Sequence, residues 1–258
     1  MLPDEIGAAL LALRARRPDV PIDLHWHGAA TSTMDLASEL ALSGARHGVV
    51  VGADEQSAGR GRRGHEWQSP ARAGLYFSMV TRPALPSTSL PLLTLAAGVG
   101  VRAGIRAAAG LAADLKWPND LIVGRRKLAG ILAEGLGLGT PEQAVIIGVG
   151  LNVQPAAYSP DVAARATSLE GELGRAIDRG MVLGDVLAGL WDSISALERN
   201  RGDILQAWRA ASPSATGTRI EWGTQHGTTA GIDDGGALLV RTAAGIERII
   251  AGDLHWHL

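Results

Sequence analysis

The segment Gly59-Arg60-Gly61-Arg62-Arg63-Gly64 constrains this 258-residue chain more than any other, because of what stands on either side of it. It follows a continuous apolar run, Gly48 to Ala53, that reads as a buried strand. Its letters match the GxGxxG fingerprint of dinucleotide-binding folds. That fingerprint requires a helix directly after the glycines and an acidic residue about 20 positions on. Here the chain runs through His65, Glu66, Trp67, Gln68, Ser69 and Pro70 into another strand-like run, Leu75 to Thr81. No carboxylate occurs between Glu66 and Asp114. The dinucleotide reading fails, and the glycines belong to a loop between strands. Glycine lets backbone N–H groups approach an anion closely, and arginine adds a permanent forked donor for phosphate or carboxylate. Such a loop is suited to order over an anionic ligand and to exclude water as it closes.

Periodicity predicts an alternating order of elements around this loop. Ile22 to His27, Asp114 to Trp117, Leu121 to Val123, Lys127 to Leu136 and Ala144 to Val153 read as strands. Met34 to Leu42 (behind a Ser/Thr N-cap), Pro91 to Ala109, Val182 to Glu198 and Ile204 to Ala211 read as helices. The N-terminal stretch over residues 1–20 carries Asp4 and Glu5 early and Arg14, Arg16 and Arg17 late, which suits a short helix and not a signal peptide. From Thr218 onward the chain is short apolar runs broken by Gly223, Gly227, Gly231, the Asp233–Gly236 turn and Gly245. That pattern predicts a small all-β barrel of about five strands. The boundary falls at Ser212-Pro213-Ser214, giving units 1–211 and 212–258.

Composition removes several classes of function. The formal charge of −2 gives no electrostatic reason to expect DNA or a membrane surface as partner. With no cysteine there is no disulfide, thiolate metal site or cysteine nucleophile. The longest uncharged stretch, Pro83 to Val101, carries three prolines and makes a poor membrane span, so the expected location is the cytoplasm. An echo, Asp-Leu-His-Trp-His at 23–27 and again at 253–257, offers His-x-His pairs without an evident third ligand, and reads as coincidence.

Three further segments can carry chemistry. Lys116-Trp117-Pro118-Asn119-Asp120 is a tight connection between two strand-like runs; its Lys and Asp can orient a phosphate, a Mg²⁺ ion or an amine, or form a surface ion pair. Lys127 stands at the mouth of an apolar strand, where its charge suits a carboxylate becoming an anhydride with phosphate. In Gly148-Val149-Gly150-Leu151-Asn152, two glycines thin a strand, which often means that a ligand lies against the backbone.

Taken in this order, the four segments resemble the biotin–protein ligases. Gly59–Gly64 followed by Trp67 is similar to the family's GRGRxGxxW loop, Lys116–Asp120 to its KWPND motif, Lys127–Leu132 to its KLAGIL strand and Gly148–Asn152 to its GxGxN segment. The resemblance implies an α+β fold: a mixed sheet with helices like that of class II synthetases and lipoate ligases, and a small SH3-like β-barrel behind it. It also implies two half-reactions. The biotin carboxylate attacks the α-phosphorus of ATP with Mg²⁺ present, and a lysine of a biotin carboxyl carrier domain then attacks the resulting biotinyl-AMP. No enzyme nucleophile is needed, in keeping with the missing cysteine.

Carried over by position, the resemblance assigns Ser32, Thr33 and Gln56 to the ureido ring of biotin, with Arg60, Gly61, Arg62, Lys127 and Gly130 around the rest of that ligand. It assigns Arg62, Arg63, Trp67, Lys116, Asn119, Lys127 and Asn152 to ATP and the adenylate, with Trp67 and Asn152 facing adenine. Arg60, Arg62, Lys127 and Asp120 form the implied catalytic set. Mg²⁺ arrives with the nucleotide, and Asp120 lies near the metal or the incoming lysine. Met34 stands where the family often has Asn. A winged-helix repressor module needs about 60 residues, and only about 20 precede the first expected strand, so the expectation is a ligase that binds no DNA. Two alternatives stay open: a lipoate or octanoate ligase of the same fold, and a non-catalytic biotin- or nucleotide-binding module.

Overall fold

Helix α1 (Asp4–Arg16) holds Asp4 and Glu5 in its first turn and Arg14 and Arg16 in its last, opposite charges at the dipole ends that favour them. It stops short of the predicted residue 20 because Pro18 bars helical geometry at Arg17. The computed structural model describes residues 2–156, 158–252 and 254–257; Met1 of the predicted helix and Asp253 of the second histidine echo lie outside the described residues.

The first sheet has seven strands: β1 (Asp23–His27), β2 (Val49–Ala53), β3 (Gly74–Thr81), β4 (Asp114–Lys116), β5 (Asp120–Val123), β6 (Arg126–Leu136) and β7 (Ala144–Asn152). Their spatial order is β1-β2-β3-β7-β6-β5-β4, with β1 and β2 parallel and every other pair antiparallel. Helix α2 (Thr33–Leu42) connects β1 to β2, and α3 (Leu90–Ala109) connects β3 to β4. After β7 come two short helices, α4 (Pro160–Ala163) and α5 (Leu169–Leu173), then α6 (Arg179–Arg199) and α7 (Arg201–Ala210). Helix α6 begins before the expected Val182 because the Asp178 side chain caps it, accepting from Met181 N.

Strand alternation divides the core in two. Val50 on β2, Leu75, Phe77 and Met79 on β3, and Val145, Ile147, Val149 and Leu151 on β7 pack with α1, α3, α6 and α7. Val49, Val51, Val80, Ala144 and Ile146 face the other way, onto Met34, Ala37 and Ala41 of α2. Helices α3 and α6 are long and apolar enough to cross a membrane by length and composition, yet most of each is buried, and they pack on each other.

The second sheet comprises β8 (Thr216–Trp222), β9 (Gln225–Ile232), β10 (Leu238–Thr242), β11 (Gly245–Ile249) and β12 (His255–Trp256), in the order β11-β10-β9-β8-β12. This corrects the expected SH3-like barrel. There are five strands, but β11 and β12 are the two ends of an open sheet and do not pair among the described residues. Closure needs a last strand long enough to reach both neighbours. β12 is two residues long and pairs only with Glu221 and Ile220 of β8. Ile220, Ile232, Leu238, Val240 and Ile249 of this sheet join the same apolar core as α3 and α6.

Candidate active site

The face of β7 that covers α2 with Ala144 and Ile146 continues as Gly148 and Gly150, and a cavity of about 290 Å³ opens above these two glycines. Their neighbours in register are Ser78 and Leu132 for Gly148, and Tyr76 and Gly130 for Gly150. A β-carbon on Gly150 would stand 2.3 Å from Trp67 Cε2, and one on Gly148 would stand 2.5 Å from Met34 Sδ. The missing side chains therefore let the Trp67 indole lie on the sheet, with Met34 beside it.

A polar recess forms one end of the cavity. The Thr33 backbone N–H donates to Gln56 Oε1 at 2.8 Å and its hydroxyl to the same oxygen at 3.1 Å. Thr33 Oγ1 and Ser78 Oγ are 2.9 Å apart, and Gln56 Nε2 donates to Ser69 Oγ at 2.8 Å. Ser32, at the N-cap of α2, is buried, and its hydroxyl has no partner among the described residues. The buried Trp67 Nε1 likewise lacks one. Trp26 Nε1, Ser212 Oγ and Ser214 Oγ, none of them lining the cavity, are orphaned in the same way, so these two atoms do not by themselves mark a ligand.

The other end is cationic. Lys127 Nζ is 2.7 Å from Asp120 Oδ1, a charge contact without hydrogen-bond alignment, and 5.3 Å from the centre of the Trp67 ring. Lys116 lies across the β4–β5 hairpin from Asp120, with its ammonium 5.5 Å from the centre of the Trp256 ring. Burial holds the Lys116 ammonium below the usual lysine range; Asp120 opposes that shift and Lys127 adds to it. Between them the Trp117–Pro118 peptide is cis. Asn119 is fixed by donating to Ile131 O at 2.8 Å, and its Oδ1 accepts from Arg62 Nη1 at 3.4 Å.

Thr33, Gln56, Arg60, Gly61, Arg62, Trp67, Lys116, Asn119, Asp120, Lys127 and Gly130 all line this one cavity. Three other expected residues do not. Ser32 is buried outside the lining. Arg63 takes a left-handed conformation (φ 56°) and lines a second recess on the outer side of the loop. Asn152 is buried: its amide donates to Thr167 O at 2.9 Å and its Oδ1 accepts from Tyr158 Oη at 3.1 Å. Arg60 reaches the cavity edge, but its guanidinium is held by Asp35 at 2.6 Å and Glu134 at 2.5 Å.

Sequence reasoning missed Ser78 and Ser69, which complete the polar recess, and Asp35 and Glu134, which hold Arg60. It also missed Gly252, Leu254 and Trp256, which bring the second sheet to the cavity wall. The aromatic residue in the repeated His-Trp-His was the available signal for Trp256. As for the echo's histidines, the His255 and His257 rings stack edge to face at 4.9 Å, and His257 Nε2 lies 3.0 Å from Glu221. No cluster of three or more metal-ligating side chains occurs among the described residues.

Comparison with known proteins gives the class first. Residues 28–152 match the model of the biotin/lipoate A/B protein ligase family, and residues 218–254 match that of the biotin protein ligase C-terminal domain. The chain is 36% identical over 244 residues to the bifunctional ligase/repressor BirA of Bacillus subtilis, spanning 90% of this chain and 73% of that protein. It is 37% identical over 216 residues to the biotin–[acetyl-CoA-carboxylase] ligase of Paracoccus denitrificans, spanning 78% and 88%. Among solved structures, the Aquifex aeolicus biotin protein ligase in complex with biotin and ATP aligns with a TM-score of 0.76 at 26% identity, covering 91% of this chain and 98% of that one. The chain belongs to the biotin–protein ligase family.

Proposed function

We propose that this chain activates biotin with ATP as biotinyl-AMP and transfers it to a lysine of a biotin carboxyl carrier domain. One observation carries the reading: in a member of this family, a single cavity joins a neutral hydrogen-bonding recess to a pair of lysines beneath a glycine–arginine loop. The recess of Thr33, Gln56 and Ser78 matches a ureido ring, which needs donors and acceptors but no charge.

In the first half-reaction a carboxylate oxygen of biotin bonds to the α-phosphorus as the bond to the β-phosphate oxygen breaks, releasing pyrophosphate. Lys127 and Lys116 offset charge at the reacting oxygens, and Arg62 closes the loop side. Because Lys127 is already fixed by Asp120 and Trp67, little reorganisation is needed when the ligand arrives. In the second half-reaction the acceptor amine attacks the acyl carbon, AMP leaves, and we assign Asp120, one of two cavity carboxylates, to take the amine's proton. Loop closure protects the water-labile anhydride.

Mg²⁺ would be held chiefly by ATP. Asp120 and Glu66 are the carboxylates of the cavity, and Asp120 is already paired with Lys127, so phosphate oxygens must supply most of the ligands. We place the reaction in the cytoplasm and assign no DNA-binding role to the described residues; specific, salt-dependent DNA binding would overturn the second point.

The test is incubation with ATP, Mg²⁺ and labelled biotin, octanoate or lipoate, with and without a biotin carboxyl carrier domain. Label transfer from biotin alone is the expected result. Adenylation of octanoate or lipoate in place of biotin would overturn the reading, as would binding of biotin without turnover.

A further inference from the structure

The second sheet grips the Lys116–Asp120 turn from two sides. Trp117 Nε1 donates to the Gly236 carbonyl, in the turn before β10, at 3.0 Å. On the cavity side, Trp256 of β12 presents its indole to the Lys116 ammonium at 5.5 Å. Asp120, opposite Lys116 in the hairpin, is paired with Lys127 and attracts the Lys116 ammonium through space without an ion-pair contact to it. A lysine ammonium on a flexible stem swings toward water when nothing holds it. An aromatic face holds a cation through its quadrupole, and more strongly where water is excluded.

We propose that Trp256 is a positioning residue: it holds the Lys116 ammonium over the cavity, so that two lysines and not one meet the charge of the phosphates. This rests on the function proposed above. The arrangement is a near mirror of its neighbour, because Lys127 lies over Trp67 at 5.3 Å with Asp120 between the two cations. Of the two residues of β12, Trp256 lines the cavity wall and His255 does not.

The experiment measures biotin-dependent pyrophosphate release and biotin affinity for the full chain and for Trp256→Leu and Trp256→Phe, each also in a Lys116→Met background. Leu retains apolar bulk without the aromatic quadrupole, and Phe retains both in part. Trp256→Leu is expected to lower the rate of adenylate formation roughly 3- to 30-fold, the span of a cation–π contact from exposed to desolvated sites. Biotin affinity should stay within about twofold, since the contact lies away from the recess. Trp256→Phe should recover most of the rate, and Trp256→Leu should cost nothing further once Lys116 is Met. A Leu variant as fast as the unmodified chain, a Phe variant as slow as Leu, or an equal loss in the Lys116→Met background would overturn the proposal. Absence of any biotin-dependent pyrophosphate release from the unmodified chain would instead overturn the function on which it rests.

Discussion

Lys127 Nζ and Asp120 Oδ1 lie 2.7 Å apart at the cationic end of the cavity, so the lysine proposed to meet the reacting carboxylate already carries a counter-ion. The incoming carboxylate must share Lys127 with Asp120, which makes the two residues separable by substitution. Lys127→Gln removes the charge that the first half-reaction needs and is expected to slow adenylate formation about 100-fold or more, the usual loss for an electrostatic stabiliser. Asp120→Asn leaves Lys127 charged, so adenylate formation should persist while transfer to the carrier lysine slows. Single-turnover measurement of each half-reaction checks both. An Asp120→Asn variant that transfers at the unmodified rate would remove Asp120 from the second step.

Gly150 and Gly130 face each other across β6 and β7 under the Trp67 indole. A methyl group at Gly150 would stand 2.3 Å from the ring, and β7 is an interior strand, so the indole must lift. Gly150→Ala is expected to leave the sheet folded, at an overpacking cost of about 1–3 kcal/mol. It should weaken retention of the adenylate at least tenfold, read as the dissociation rate of biotinyl-AMP. Unchanged retention would mean that Trp67 does not contact the intermediate.

Arg60 and Arg62 share one loop but are held differently. Arg60 is pinned by Asp35 and Glu134, whereas Arg62 reaches Asn119 over the cavity. Arg62→Gly is expected to let biotinyl-AMP escape and label bystander lysines. Glu134→Gln, which removes one anchor of Arg60, should give a milder leak and faster proteolytic nicking of the loop in the ligand-free protein. Mass spectrometry of a mixture with an unrelated lysine-rich protein distinguishes them; an Arg62→Gly variant that labels only the carrier lysine would contradict the closing role.

Much of this was legible from residue order. The strands of the first sheet show as apolar runs, and the cavity residues fall in motifs whose spacing survives folding. What escaped depended on contacts distant in sequence. Closure of a barrel is decided by whether the first and last strands meet, and nothing in residues 218–258 distinguishes the open sheet from the closed one. The partners of Asn152 also escaped: the segment after β7 folds back so that Thr167 O takes its amide, and that segment carries no periodicity to announce itself. Ser78 hides inside an apolar strand, and only its register with Gly148 reveals it as cavity lining. Asp35 and Glu134 stand 25 and 74 positions from Arg60, too far apart for any pattern to pair them.

His47, with its ring 4.8 Å from that of Trp191, gives a pH dependence of stability. Burial pushes its imidazole below the usual range, and Glu198 opposes this only in part. In the unfolded chain the same group titrates near the ordinary value of about 6.5. The stabilising contribution of the neutral ring is therefore complete above that pH and is lost as pH falls toward the depressed folded value, because the unfolded state binds the proton first. Urea midpoints at pH 7.5 and 5.5 are expected to fall less in His47→Gln than in the unmodified chain. Equal falls would assign the acid sensitivity elsewhere.

Arg179 links the start of α6 to the root of the glycine–arginine loop. Only 4% of its side chain is exposed; it pairs with Glu5 of α1 at 2.6 Å and Asp54 at 2.7 Å, and its guanidinium lies 5.6 Å from the centre of the Trp26 ring. Asp54 stands two residues before Gln56, so the network fixes the backbone that presents the amide of the polar recess. Arg179→Met leaves Asp54, itself largely buried, without its cation. Breaking a buried pair by removing one partner typically costs about 3–5 kcal/mol. Glu5 is one-third exposed and can be rehydrated, which puts the expected loss near the lower end, about 3 kcal/mol. For a chain of this size that lowers the unfolding midpoint by roughly 6–12 °C. Removing both charges is a different case: in Arg179→Met with Asp54→Asn no buried carboxylate is stranded, so part of the loss should return. Double-mutant thermal unfolding checks this, and strictly additive losses would show that Arg179 and Asp54 do not act as a pair.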